Sequence, residues 1–100
     1  MTHYDLTLRG GTVVTAESSF RADIGVRDGR IAAIAESLPP GNRDVDARDR
    51  LVLPGGIDSH CHVEQISSNG VMTADDFESA TISAAYGGTT TIIPFAAQHR

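Results

Sequence analysis

The sequence contains no lysine; all eight basic residues are arginines, scattered from Arg9 to Arg100. Thirteen acids outweigh them and leave a net charge of −5, with no basic stripe for a nucleic acid or an anionic membrane surface. There is one cysteine, Cys61, so no internal disulfide forms, and a reducing compartment fits. No apolar run approaches the roughly 18 residues of a membrane span. The first ten residues carry Asp5 and Arg9 and lack the apolar core of a signal peptide. These absences predict a cytoplasmic protein without nucleic-acid or membrane partners. At 100 residues the chain is also too short for a (β/α)₈ barrel, which takes about 250. Its 40% hydrophobic and 21% charged residues are the balance of an ordinary globular chain.

Turn signals divide what is present. Leu6 and Leu8 alternate with polar neighbours, and Gly10-Gly11 punctuates before Thr12-Val13-Val14-Thr15. Asp28-Gly29 between residues 23–27 and 30–35 predicts a two-residue hairpin. Pro39-Pro40-Gly41-Asn42 closes this section, and Val45 marks one further short strand. Residues 1–50 therefore read as a small, mostly antiparallel β unit. Residues 51–100 read differently. Residues 57–63 form an apolar strand and its mouth, and residues 65–70 a polar loop. Thr73, returned by Asp76, predicts a helix start, with Asp75, Asp76 and Glu78 in the first turn. Phe77, Thr81, Ala84 and Ala85 lie on one helical stripe, and Gly87-Gly88 ends it. The β-branched run of residues 89–95 suits a strand buried on both faces. Strand, helix, strand is a βαβ unit with a parallel sheet and a right-handed crossover.

The chemistry lies in Ile57-Asp58-Ser59-His60-Cys61-His62. Alternate strand residues share a face, so His60 and His62 project together, Asp58 lies one step back, and Cys61 points the other way. Two imidazoles presented in parallel suit one divalent cation, with Zn–N distances of about 2.0–2.1 Å. A catalytic cation that keeps an open position lowers the pKa of its water to about 7. The motif stands where an apolar strand gives way to a loop, the end of an α/β barrel that carries chemistry. The blander alternative is two ordinary histidines, the commoner meaning of an isolated His-x-His. Other features favour plain structural roles. The Gly-Gly pairs make no phosphate cradle, the acids at 75, 76 and 78 are helix-start residues, and His3 and His99 receive no role.

The chain resembles the dihydropyrimidinase/hydantoinase branch of the metal-dependent amidohydrolase superfamily. The resemblance rests on residues 5–15, on Ala22-Asp23-Ile24-Gly25-Val26-Arg27-Asp28-Gly29-Arg30-Ile31, on Leu53-Pro54-Gly55-Gly56-Ile57-Asp58-Ser59-His60-Cys61-His62, on Asp75-Asp76-Phe77-Glu78-Ser79 and on Gly87-Gly88-Thr89-Thr90-Thr91-Ile92-Ile93. It implies an α/β fold: a small β-sandwich-like domain (1–50) ahead of the first βαβ unit (51–100) of a (β/α)₈ TIM barrel, of which this chain is the N-terminal part. It implies two divalent metals, usually zinc, bridged by a carboxylated lysine that this lysine-free chain lacks. His60 and His62 would be metal ligands, and no catalytic proton shuttle would lie within the chain.

The implied activity is hydrolysis of a ring C–N amide bond by metal-bound hydroxide. The small-molecule substrate would be a cyclic amide, and the parent a homo-oligomer, tetramer or dimer. Residues Gln65, Ile66, Ser67, Ser68 and Asn69 fall where relatives carry a variable loop beside the substrate. The chain departs from the family in Pro94-Phe95, where relatives commonly have an aspartate. Alternatives are a non-catalytic structural or signalling homologue, another cyclic amidohydrolase such as an allantoinase, dihydroorotase or imidase, and an independent β-rich binding module. On two histidines alone, the isolated 100 residues are expected to be inactive.

Overall fold

A computed structural model describes residues 3–97, in two compact units, Met1–Pro54 and Gly55–Arg100. The described chain is mostly β, with one helix. No helix among the described residues is long and apolar enough to cross a membrane.

The first unit is one five-stranded sheet. Strand β1 (Leu6–Val14) pairs antiparallel with β2 (Ser19–Arg27), which pairs antiparallel with β3 (Arg30–Ala35). On the other side of β1, two short strands follow one another: β4 (Arg43–Asp46) along its first half and β5 (Leu51–Val52) along its second, both parallel. The unit is therefore mostly antiparallel, as its sequence predicts, with two short parallel strands added at β1. After residues 39–42 the chain comes back running in the direction of β1, and local turn signals do not reveal that direction. Leu51 and Val52 complete this sheet, so the unit runs to Pro54 rather than ending near Arg50.

The hairpin forms where Asp28-Gly29 predicts it. Both residues have positive φ, +52° and +71°, the pair that a two-residue turn matched to strand twist requires. Gly10-Gly11 does not separate two strands. It lies within β1 at a bulge between Leu8 and Gly11, where β1 changes neighbour from β4 to β5.

Asp23 stabilises this irregularity. Its carboxylate is almost fully buried and accepts from the Gly10 N–H at 2.8 Å, the Leu38 N–H at 3.0 Å and the Arg9 guanidinium at 3.4 Å. A buried carboxylate is tolerated only when so satisfied. Val13, Ala22 and Ile24 form the core, with Leu8, Val26 and Val52 packed against them. Thr7 is fully buried and donates its hydroxyl to the Pro39 carbonyl.

The second unit is a βαβ element. Strand β6 (Gly56–Cys61) pairs parallel with β7 (Thr89–Pro94), and helix α1 (Phe77–Tyr86) joins them. The helix begins three residues later than its sequence suggests. Asp76 is the N-cap and accepts from the Ser79 N–H at 2.8 Å, whereas the Thr73 hydroxyl is engaged by the Gln65 N–H at 3.0 Å. An aspartate reaching the third amide onward is the stronger local cap, and only Glu78 remains an acid inside the first turn. That bond holds the Asp76 carboxyl below its ordinary value. At the far end Gly87 is the C-cap and Gly88 takes a φ of +84°.

The expected helix stripe is shifted: Ala80 and Ala84 are the half-buried positions, while Phe77, Ile82 and Tyr86 are exposed. Nor are the strands buried as their composition suggests. Ile57 is 68% exposed and Ile93 55%. Two strands and a helix leave one sheet face and both edges uncovered, so sequence apolarity exceeds the cover this segment supplies by itself.

Candidate metal centre

His60 lies in β6 and His62 just beyond its end, at the mouth where the sheet gives way to loops. Their imidazole centres are 5.6 Å apart with planes at 67°, and both residues are exposed. Two imidazoles bound tetrahedrally to one ion, each nitrogen about 2.0–2.1 Å from it, have centres roughly 5 Å apart. The pair is thus spaced to share a cation after a small adjustment, and neutral imidazoles are common ligands for zinc and similar ions. Among the described residues no third histidine, cysteine, aspartate or glutamate joins them.

Asp58 does not extend toward the pair. Its carboxylate turns along the strand and accepts from the backbone N–H of His60 at 3.0 Å, which fixes the strand where the first histidine departs. Asp58 and the half-buried Cys61 line a cleft of about 310 Å³ against the helix, with Ala80, Ser83 and Ala84. His3 is exposed and bonds the Asn42 side chain, in the first unit. His99 lies outside the described residues.

Two residues at the mouth have roles that the strand pattern does not reveal. Phe95 stacks on His62 with centres 4.6 Å apart and planes at 2°, and meets His60 edge to face at 4.6 Å. The parallel register explains this. Cys61 pairs with Pro94, so the next residues of the two strands, His62 and Phe95, emerge side by side. Phe95 N–H donates to Cys61 O at 2.9 Å and closes the mouth. Pro94-Phe95 stood out in the sequence only as a departure from related chains; its meaning required the register.

Gln65 is the other. Placed by sequence in a loop beside the substrate, it is half-buried, and its side chain bonds both His62 Nδ1, at 2.9 Å, and the carbonyl of Phe95. The rest of the loop is a tight double turn. Ile66 bridges Met72, the Ser67 N–H donates to Val71 O at 2.8 Å, and the Thr73 N–H to Gln65 O at 2.8 Å. Ser67 and Asn69 bond through their side chains, and Ile66, Ser67, Ser68 and Asn69 all remain exposed.

Known proteins match most of this chain. A D-hydantoinase from Ralstonia pickettii is 50% identical over 96 residues, covering 96% of this chain. Dihydropyrimidinase 2 of Caenorhabditis elegans is 48% identical over 92 residues, covering 90%. A solved D-hydantoinase structure superposes with a TM-score of 0.88 at 50% identity, again over 96% of the chain. The resemblance is to the dihydropyrimidinase/hydantoinase branch. It is confined to one part of those proteins: the chain spans 21% and 18% of the two relatives and 21% of the solved chain. No family model matches.

Proposed function

We propose that this chain is the N-terminal part of a metal-dependent cyclic amidohydrolase of the hydantoinase/dihydropyrimidinase type. One observation carries the reading: His60 and His62 stand together, at a spacing suited to one cation, at the C-terminal end of a parallel strand pair. Chemistry in α/β barrels is built at that end. In this reading residues 55–97 start a (β/α)₈ barrel. The exposed apolar side chains of β6, β7 and α1, among them Ile57, Ile93, Ile82 and Tyr86, are then surfaces for the strands and helices that follow. The sheet of the first unit, with Leu51–Val52 included, is one part of a β-sandwich-like domain.

His60 and His62 hold a divalent metal, zinc by the preference of a histidine pair. A second metal, and the carboxylated lysine that would hold it, would come from outside this lysine-free chain. The bound cation supplies Lewis acidity and a water activated near neutral pH. The chain's own residues do the holding: Asp58 fixes the strand under His60, and Phe95 packs against both rings. The double turn bearing Ile66, Ser67, Ser68 and Asn69 borders the substrate. That substrate is a small cyclic ureide or imide, opened at a ring C–N bond. The whole protein is a cytoplasmic homo-oligomer.

The test uses the full-length protein that carries this segment. It should contain tightly held divalent metal and open hydantoin or dihydrouracil, and His60→Ala and His62→Ala should each lose both properties. A metal-replete protein without ring-opening activity would assign it to a non-catalytic or differently specific relative. Unchanged metal content in both histidine variants would remove the metal site itself.

A further inference from the structure

We propose that Gln65 is a positioning residue that fixes the tautomer and plane of His62, so that Nε2 is the nitrogen presented to a metal. The inference rests on the reading of His62 as a ligand and deepens it. The hydrogen-bond logic starts at Phe95. Its carbonyl oxygen only accepts, so the Gln65 atom bonded to it is the amide nitrogen. The other end of the same amide, facing His62 Nδ1 at 2.9 Å, is therefore Oε1, and that atom only accepts. Nδ1 must then carry the hydrogen. In a neutral imidazole this places the lone pair on Nε2, which has no hydrogen-bond partner among the described residues. The usual ambiguity between the two ends of a glutamine is removed by the carbonyl.

Plane and tautomer are fixed together. The Phe95 ring lies parallel to the His62 ring, at 2°, and blocks a turn about Cβ–Cγ on one side. Such a turn would also break the bond to Gln65. Gln65 is itself held at both backbone groups: its N–H donates to the Thr73 hydroxyl at 3.0 Å and its carbonyl accepts from the Thr73 N–H at 2.8 Å. Residue 65 therefore belongs to the support of the ligand rather than to the substrate-facing surface. An acceptor on the far nitrogen of a ligating histidine orients the ring and raises its basicity, and its loss weakens metal binding by about 10–100-fold.

The experiment measures zinc affinity of the full-length protein by chelator competition, with thermal midpoints recorded alongside. Gln65→Leu removes acceptor and donor at similar length and should bind zinc about 10–100-fold more weakly. Gln65→Glu keeps an acceptor for Nδ1–H and should restore affinity. Wild-type affinity in Gln65→Leu overturns the proposal. So does an equal loss in both variants with lowered midpoints, which would make Gln65 a structural residue of the turn. His62→Ala in the same assay separates the two levels. If it too binds zinc like the wild type, the ligand reading fails rather than the role of Gln65.

Discussion

Replacing Gly55 by alanine puts a methyl group where Thr90 already stands. A Cβ built on Gly55 would lie 2.0 Å from Thr90 Oγ1, 2.4 Å from its Cγ2 and 2.7 Å from its Cβ. Ordinary contact begins near 3.4 Å. Turning the threonine about χ1 moves the first two atoms but leaves its Cβ in place, so no rotamer relieves the clash. The backbone of β7 or the start of β6 must shift. Overpacking of this kind costs about 1–3 kcal/mol. The shift would strain the adjacent bond from the Gly56 N–H to Gly88 O, 2.9 Å long, at the start of the β6–β7 pairing. The assay is urea unfolding of the full-length protein in a double-mutant cycle. Gly55→Ala should lower the midpoint in the wild-type background. In a Thr90→Gly background, where the obstructing side chain is gone, the same substitution should cost almost nothing. A Gly55→Ala protein within about 0.5 kcal/mol of the wild type, the range of an ordinary surface change, would refute the packing argument. So would an equal cost in both backgrounds.

Ile24→Ala should destabilise the sheet unit by about 2–5 kcal/mol, because Ile24 is 4% exposed and stands among Val13 and Ala22. A smaller loss in urea unfolding would mean that the site collapses around the deletion. Asp76 gives a pH prediction. Its carboxyl is held below the ordinary 3.8, so its contribution to stability is complete above 3.8 and is lost as pH falls through the lowered folded-state value. Asp76→Asn keeps a neutral cap and should flatten that part of the acid limb while leaving the helical circular-dichroism signal at neutral pH unchanged. An acid limb identical to the wild type would show that other carboxylates set it.

Local chemistry determined what could be read without the fold. The positive-φ turn at Asp28-Gly29 needs only its own two residues, as does the helix stop at Gly87-Gly88. The shared projection of His60 and His62 follows from the two-residue period of a strand. The resemblance to the hydantoinases was legible for a related reason, since it lies in continuous runs of sequence. What the tertiary structure decided depends on partners distant in the chain. The direction in which residues 43–46 and 51–52 return beside β1 is fixed by pairing, not by their composition. The sequence points to Thr73 as the cap with Asp76 returning a bond, but the bond from the Gln65 N–H to the Thr73 hydroxyl leaves the helix start to Asp76. Asp58 has the sequence parity of the histidines, yet the pairing of β6 shifts register between Asp58 and Cys61, and Asp58 lines the cleft with Cys61 instead. Gln65 reads as loop polarity and Phe95 as the last residue of a strand. The parallel register of β6 and β7, set across the intervening helix, brings Phe95 onto His62, and the turn closed between Gln65 and Thr73 brings Gln65 there, because the identity of a side chain limits which bonds it can make but not which atoms will be within reach.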